Sequence, residues 1–186
     1  AELYNDIKMH NLIMLNHIGE LIDLGVSSLK IEGRMRSIYY IATVVSIYRK
    51  AIDNYVLNKS QVSEKDFKLL NRCANREMIP QFFADSCNKN YQYYNGREEV
   101  SNQDFLGVII DTKDDLYLIE QRNYFEVGDV AEIFGPNIET FDYKIEEIYD
   151  ENMEKIDVVR HPLQKVYLRI PKSLPINCLL RKKIVS

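Results

Sequence analysis

Three cysteines among 186 residues, Cys73, Cys87 and Cys178, are too few, too scattered and odd in number to frame a small secreted fold. They fit no compact metal motif either, so they read as reduced thiols. Histidine is equally sparse, and none of His10, His17 and His161 has the i, i+4 partner that would hold zinc on a helix. No metal site is expected. No apolar run approaches the roughly 18 residues of a membrane span. The first residues also lack the basic-then-apolar order of a secretion signal, so a cytoplasmic location without membrane contact is expected. Charge of one sign is missing too: a net charge of -4 argues against wholesale electrostatic binding of nucleic acid and leaves local basic rims for anions. The chain starts at Ala1 and not at Met, so it is expected to be either processed or cut from something larger, and the pattern described below favours the second.

Apolar residues are plentiful, at 46% of the chain, enough for one packed domain or two small ones. Residues 28–31 read as a brief buried strand that runs into a turn at Gly33, with Ser37 placed to cap a long helix. Lys30, Glu32, Arg34 and Arg36 therefore crowd the end of a strand, where an α/β barrel carries its substrate site. A carboxylate beside two guanidinium groups suits bidentate recognition of a carboxylate or phosphate better than nucleophilic attack. No Ser-His-Asp, Cys-His or metal pattern accompanies it, so the rim is assigned binding and no catalytic residue is assigned. The structural alternative is a solvated loop, or a Glu32 to Arg34 staple.

Leu12, Leu15, Ile18, Leu21 and Ile22 recur at helical spacing over residues 11–24, with Asn11 as cap and Gly25 as stop. After Ser37 the apolar set Ile38, Ile41, Val44, Val45, Tyr48, Ala51, Ile52 and Tyr55 marks one stripe of about five turns. Helix, strand and helix make one slice of a parallel α/β layer over residues 1–58, and its neighbouring strands are not visible in this chain. Residues 59–103 read as a connector: a short helix capped by Ser63 with Asp66, then an irregular crossing whose Tyr91, Tyr93 and Tyr94 are expected to pack against a neighbouring domain, with stacking on bases as the alternative. From residue 104 to 186, short strands at 106–110, 117–121, 130–134, 143–149, 165–170 and 178–182 alternate with turns, the pattern of a small closed β-barrel.

The segment "ELIDLGVSSLKIEGRMRSIYYIATVVSIYRKAIDNY" closely resembles the hallmark region of peptidase family U32, the collagenase-like peptidases. "LIEQRNYFEVGDVAEIFGP" resembles the barrel that closes its longer members. The resemblance implies the last part of a TIM-type α/β catalytic domain, followed by a barrel similar to the second domain of translational GTPases. It implies a hydrolase acting on collagen-like peptides or, for other members, a factor for tRNA hydroxylation or for oxygen-independent quinone hydroxylation. Peptide or tRNA would then be the substrate of a full-length parent that supplies the missing N-terminal α/β segments. Some members carry an iron–sulfur cluster on cysteines, one of them in a "DLC" element; here that element reads Asn11, Leu12, Ile13, and Ile13 has no ligand atom. Asn16 stands where members show Glu, and Gln81 where they show Gly. A non-enzymatic barrel module that docks RNA or protein through Arg122, Tyr124, Lys144, Arg160, Lys165, Tyr167 and Arg169 is the alternative, although these residues interleave with many acids.

Overall fold

The computed structural model describes residues 11–34, 36–73, 78–79 and 104–183. The chain divides into two compact units, Ala1–Ser101 and Asn102–Ser186.

In the first unit a two-residue strand β1 (Asn11–Leu12) pairs in parallel with β2 (Met78–Ile79). A 3₁₀ turn, Leu15–His17, leads into helix α1 (Ile18–Asp23). The helix expected over 11–24 is thus shortened, because Asn11 serves the strand pair instead of a cap. Its stop is as read: Gly25 sits at φ +81, its N–H donates to the Ile22 carbonyl, and the Val26 N–H donates to that of Leu21. This paired closure requires a left-handed residue, which glycine adopts without steric penalty. Helix α2 (Ile38–Asn58) starts where Ser37 accepts the Tyr40 N–H at 3.2 Å, a cap worth about 1 kcal/mol. Helix α3 (Glu64–Cys73) begins with Ser63 and Asp66 bonded reciprocally, and Lys50 of α2 reaches both Asp66 oxygens at 3.0 and 3.1 Å.

Two expectations fail in this unit. Residues 28–31 form no strand: Leu29 and Ile31 are exposed, and no ladder partner lies beside them among the described residues. A parallel strand needs neighbours for its N–H and C=O groups, so without them the segment stays irregular and exposed. The buried stripe of α2 is also rotated from the one expected. It consists of Tyr39, Tyr40, Thr43, Val44, Ile47 and Ala51, whereas Ile38, Ile41 and Val45 face solvent. A helix apolar on two faces can bury either one, and packing against α1 and α3 selects this one. The irregular crossing with Tyr91, Tyr93, Tyr94 and Gln81, and Cys87 beside them, falls outside the described residues.

The second unit is a curled antiparallel sheet. Its strands are β3 (Phe105–Lys113), β4 (Leu116–Gln121), β5 (Phe125–Glu126), β6 (Val130–Phe134), β7 (Phe141–Lys144), β8 (Ile148–Tyr149), β9 (Lys155–Ile156), β10 (Val158–Val159), β11 (Lys165–Arg169) and β12 (Leu179–Lys182). Eight of them follow the order β7-β6-β12-β3-β4-β11-β8-β9, and β5 pairs with β10 separately. The outer strands β7 and β9 do not pair with each other, so the sheet itself is open where a closed barrel was expected. Backbone bonds from Gly128 to Ile145, from Ile145 to Asp129 and from Val127 to Asp157 carry the chain across the gap by way of β5 and β10. The expected strand at 143–149 is broken at residues 145–147 for this reason: Ile145 turns its backbone to Asp129 and its side chain into the core.

Alternation fills the inside of the curl with Ile109, Ile119, Ala131, Ile133, Val166, Leu168 and Leu180, joined by Phe125 from the short pair. Each such side chain contributes roughly 1.5–3 kcal/mol on full burial. The register sets Arg181 opposite Glu132. Both are buried, Arg181 Nε donates to Glu132 Oε2 at 2.9 Å, and the guanidinium lies 4.3 Å from the Phe134 ring centroid. The turn after β10 holds Leu163 at φ +59, where glycine or asparagine is usual. Gln164 locks it, donating its N–H to His161 and accepting the N–H groups of Arg160 and His161 on Oε1.

Candidate functional site

The four rim residues stand together in the first unit, just ahead of α2. Just after Lys30 and Glu32, Arg36 closes a turn by donating its N–H to the Gly33 carbonyl at 3.0 Å. Glu32 accepts the backbone N–H of Arg34 at 3.2 Å, and its other oxygen lies 3.7 Å from Lys30 Nζ. The carboxylate therefore shapes the turn and attracts Lys30; it does not reach the Arg34 guanidinium. Arg34 has no ion-pair or side-chain hydrogen-bond partner among the described residues, and Arg36 lies 5.0 Å from the Tyr40 ring centroid. Lys30 and Glu32 are 87% and 70% exposed, so their attraction is screened by water and holds neither side chain in place. The result is three cations near one engaged carboxylate in sequence, with Lys30, Glu32 and Arg34 exposed and Arg36 half-buried. Such a set can bind an anion; it offers no buried acid, base or nucleophile for bond breaking.

A second feature escaped the sequence reading because its parts come from three separated segments. A cleft of about 320 Å³ opens between residues 15–20, the last turns of α2 and residues 60–62. Leu15, Ile18 and Ala51 form its buried floor. One wall is Tyr55, packed so closely on Gly19 that a Cβ there would fall 2.4 Å from the ring. Lys59 lies over the ring at 4.3 Å from its centroid, and both Lys59 and the Tyr55 hydroxyl donate to Asp23. The Lys59 hydrogen bond, aided by that of Tyr55, holds the Asp23 carboxyl below its ordinary range, while the same carboxylate pushes the Tyr55 hydroxyl up. The rim and the cleft lie at opposite ends of α2, whose 21 residues span about 30 Å.

The two cysteines among the described residues belong to different units. Cys73 donates to the Leu70 carbonyl inside the first unit, and Cys178 is a free thiol in the core of the second. Burial alone pushes the Cys178 thiol up, away from the thiolate that metals require. Ile13 offers only hydrocarbon, and no group of three or more His, Cys, Asp or Glu among the described residues could hold a metal. The residues described do not fit an iron–sulfur cluster. His17 lies 3.4 Å from Glu20, and His161 is exposed in the Leu163 turn.

On the sheet, the basic and aromatic candidates are offset by acids. Arg122 pairs with Glu120 at 2.6 Å, Arg169 with Asp115, and the Tyr124 hydroxyl donates to Glu126 at 2.6 Å. Arg122 and Arg169, already paired, give a polyanion little to displace. No helix among the described residues is long and apolar enough to cross a membrane.

Two family models match contiguous parts of the chain. Residues 5–93 match the model described as peptidase family U32, and residues 101–181 match that of the peptidase family U32 C-terminal domain. Among curated relatives, tRNA hydroxylation protein P1 of Bacillus subtilis (strain 168) is 38% identical over 181 residues, which cover 92% of this chain and 42% of that protein. tRNA hydroxylation protein P of Haemophilus influenzae is 31% identical over 180 residues, with 95% and 39% covered. The Escherichia coli (strain K12) protein of the same name is 31% identical over 169 residues, with 90% and 37% covered. The chain thus spans about two fifths of the length of these relatives. A solved C-terminal domain described as that of a Geobacillus thermoleovorans U32 peptidase is 35% identical and covers 45% of this chain and 97% of its own, with a TM-score of 0.43.

Proposed function

The chain belongs to peptidase family U32, and from that premise we propose that it is the C-terminal portion of a tRNA-hydroxylation factor, to which it contributes an anion-binding rim and an accessory β-domain. The observation that carries this reading is the 38% identity to a tRNA hydroxylation protein along 92% of the chain, through both units. In this reading residues 28–31 become a strand of a TIM-type barrel once the parent's preceding α/β segments lie beside them. Leu29 and Ile31 alternate toward one side, and Ile38, Ile41 and Val45 offer a second apolar face, which is what a slice lacking its neighbours exposes. The curled sheet takes the place of a barrel like the second domain of translational GTPases.

Within the rim, Arg34 is the contact to a phosphate of the substrate, because its fork is exposed and has no partner among the described residues, and Lys30 and Arg36 add positive potential. Glu32 acts by fixing the turn that presents Arg34. The substrate is tRNA and not a peptide in this reading, and the chain alone neither hydrolyses peptides nor binds an iron–sulfur cluster. The test places Arg34→Lys and Arg34→Ala in the full-length parent and measures tRNA affinity and the unfolding midpoint on the same samples. A bidentate phosphate contact predicts about tenfold weaker binding for both variants. The midpoint should stay within about 0.5 kcal/mol of wild type, since the side chain touches nothing described. Unchanged affinity with a lowered midpoint would make Arg34 a structural residue.

A further inference from the structure

We infer that the cleft between residues 15–20, α2 and residues 60–62 is a nucleobase pocket; this rests on the reading that the parent acts on tRNA. Its volume, about 320 Å³, lies at the lower end of the roughly 300–1,000 Å³ usual for small-molecule sites and suits a single ring system. The floor is apolar and buried. The rim carries Asn16, Glu20, Ser60 and Gln61, all exposed side chains that a ligand reaches without unfolding anything.

The chemistry of that lining selects the occupant. Among the described residues no lysine or arginine lines the cleft, and Lys59 beside it is already engaged by Asp23, which disfavours a phosphate or carboxylate inside it. Two carboxamides, each with a donor and an acceptor in one plane, and a hydroxyl that does both, complement a planar edge that itself mixes donors and acceptors. A base edge has that mixture. A guanidinium or ammonium has donors alone, so it would satisfy Glu20 and leave the amide N–H groups of Asn16 and Gln61 with nothing to donate to. The wall is set in advance: Tyr55 is wedged between Gly19 and Lys59 and tied by its hydroxyl to Asp23, so a ring entering the cleft meets a surface that need not reorganise. An unstacked base inserting its ring over an apolar floor and its edge toward amides is the way proteins read single-stranded nucleotides.

The experiment titrates the whole chain with the four ribonucleosides, which carry no phosphate and so isolate the base from the rim, and follows backbone amide shifts by NMR. Saturable shifts centred on residues 15–20 and 60–62, with unequal affinity among the four, are the expected result. Asn16→Ala and Gln61→Ala should each weaken the preferred nucleoside by about three- to tenfold, the value of one hydrogen bond. Val62→Trp, which fills the mouth from a half-buried position, should abolish the shifts. Absence of saturable shifts, equal binding by Val62→Trp, or a preference for arginine amide over every nucleoside would each overturn the pocket. The two readings fail separately. Nucleoside binding together with a parent whose tRNA affinity ignores Arg34 sinks the rim reading alone, and Arg34-dependent tRNA binding without nucleoside binding sinks the pocket alone.

Discussion

Arg181→Met tests how the second unit tolerates a charge in its sheet. Glu132 and Arg181 face each other across β6 and β12 with side chains 1% and 5% exposed, so water does not solvate either when the other is lost. Removing Arg181 takes away the hydrogen-bonded partner of the buried Glu132 carboxylate, and breaking such pairs destabilises by about 3–5 kcal/mol. The lost contact between the guanidinium and Phe134, 4.3 Å apart, adds in the same direction. For a unit of this size each kcal/mol lowers the midpoint by about 4–8 °C, so Arg181→Met should melt at least about 12 °C earlier. The double variant Glu132→Leu/Arg181→Met replaces both charges with hydrocarbon and should recover to within about 2 kcal/mol of wild type. The chain has no tryptophan, so urea unfolding is followed by tyrosine fluorescence and far-ultraviolet circular dichroism. A single-variant loss below about 1 kcal/mol, the value of a surface pair, would refute the buried character of the contact.

Three further outcomes are expected. Burial of the Tyr143 hydroxyl, which donates to the Arg169 carbonyl at 3.0 Å, pushes its pKa up to about 12. The fold favours the neutral form, so its contribution, on the order of 1–2 kcal/mol after solvent screening, is whole below pH 10 and disappears as pH rises through about 12; alkaline melts of wild type should show the loss and those of Tyr143→Phe should not. Gly19→Ala drives a methyl into the Tyr55 ring and should destabilise the first unit by about 1–2 kcal/mol despite the better helix propensity, with the Tyr55 resonances displaced in NMR spectra; an unchanged midpoint would show that Tyr55 is free to swing. Residues 104–186 expressed alone should keep slowly exchanging amides in β3, β4, β11 and β12, and uniformly fast exchange would show that the sheet depends on the rest of the chain.

Local signals were legible where the chemistry that sets them is local. Ser37, Gly25, and Ser63 with Asp66 each act within four residues of their position, and each forms the cap or stop that its side chain implies. The central strands β4, β6, β11 and β12 were legible because alternation with turn residues on both sides leaves few other structures open. What escaped depends on distant partners. Residues 28–31 have a strand's composition and no ladder, and α2 carries two apolar faces whose ranking is decided by α1 and α3. The short strands β5, β9 and β10 are two residues each, below any periodicity. Among the rim residues the grouping was legible and the bonding was not: Glu32 turns to a backbone N–H two residues ahead, a choice made by turn geometry. The cleft left no trace in the sequence, since Asn16 and Gln61 are 45 positions apart.

The turn that holds Leu163 inverts the usual relation between bulk and constraint. A leucine in the left-handed region carries strain of about 1–2 kcal/mol, and it is exposed. Gln164 offsets that strain by gripping two backbone N–H groups with one side-chain oxygen. Across relatives, then, position 163 should accept glycine or asparagine freely and gain from either. Position 164 should resist exchange for shorter or apolar residues, because the acceptor and its reach are both needed. A reader of substitution patterns would mark the glutamine as the important residue and the leucine as the expendable one, although the leucine is the more conspicuous feature of the surface.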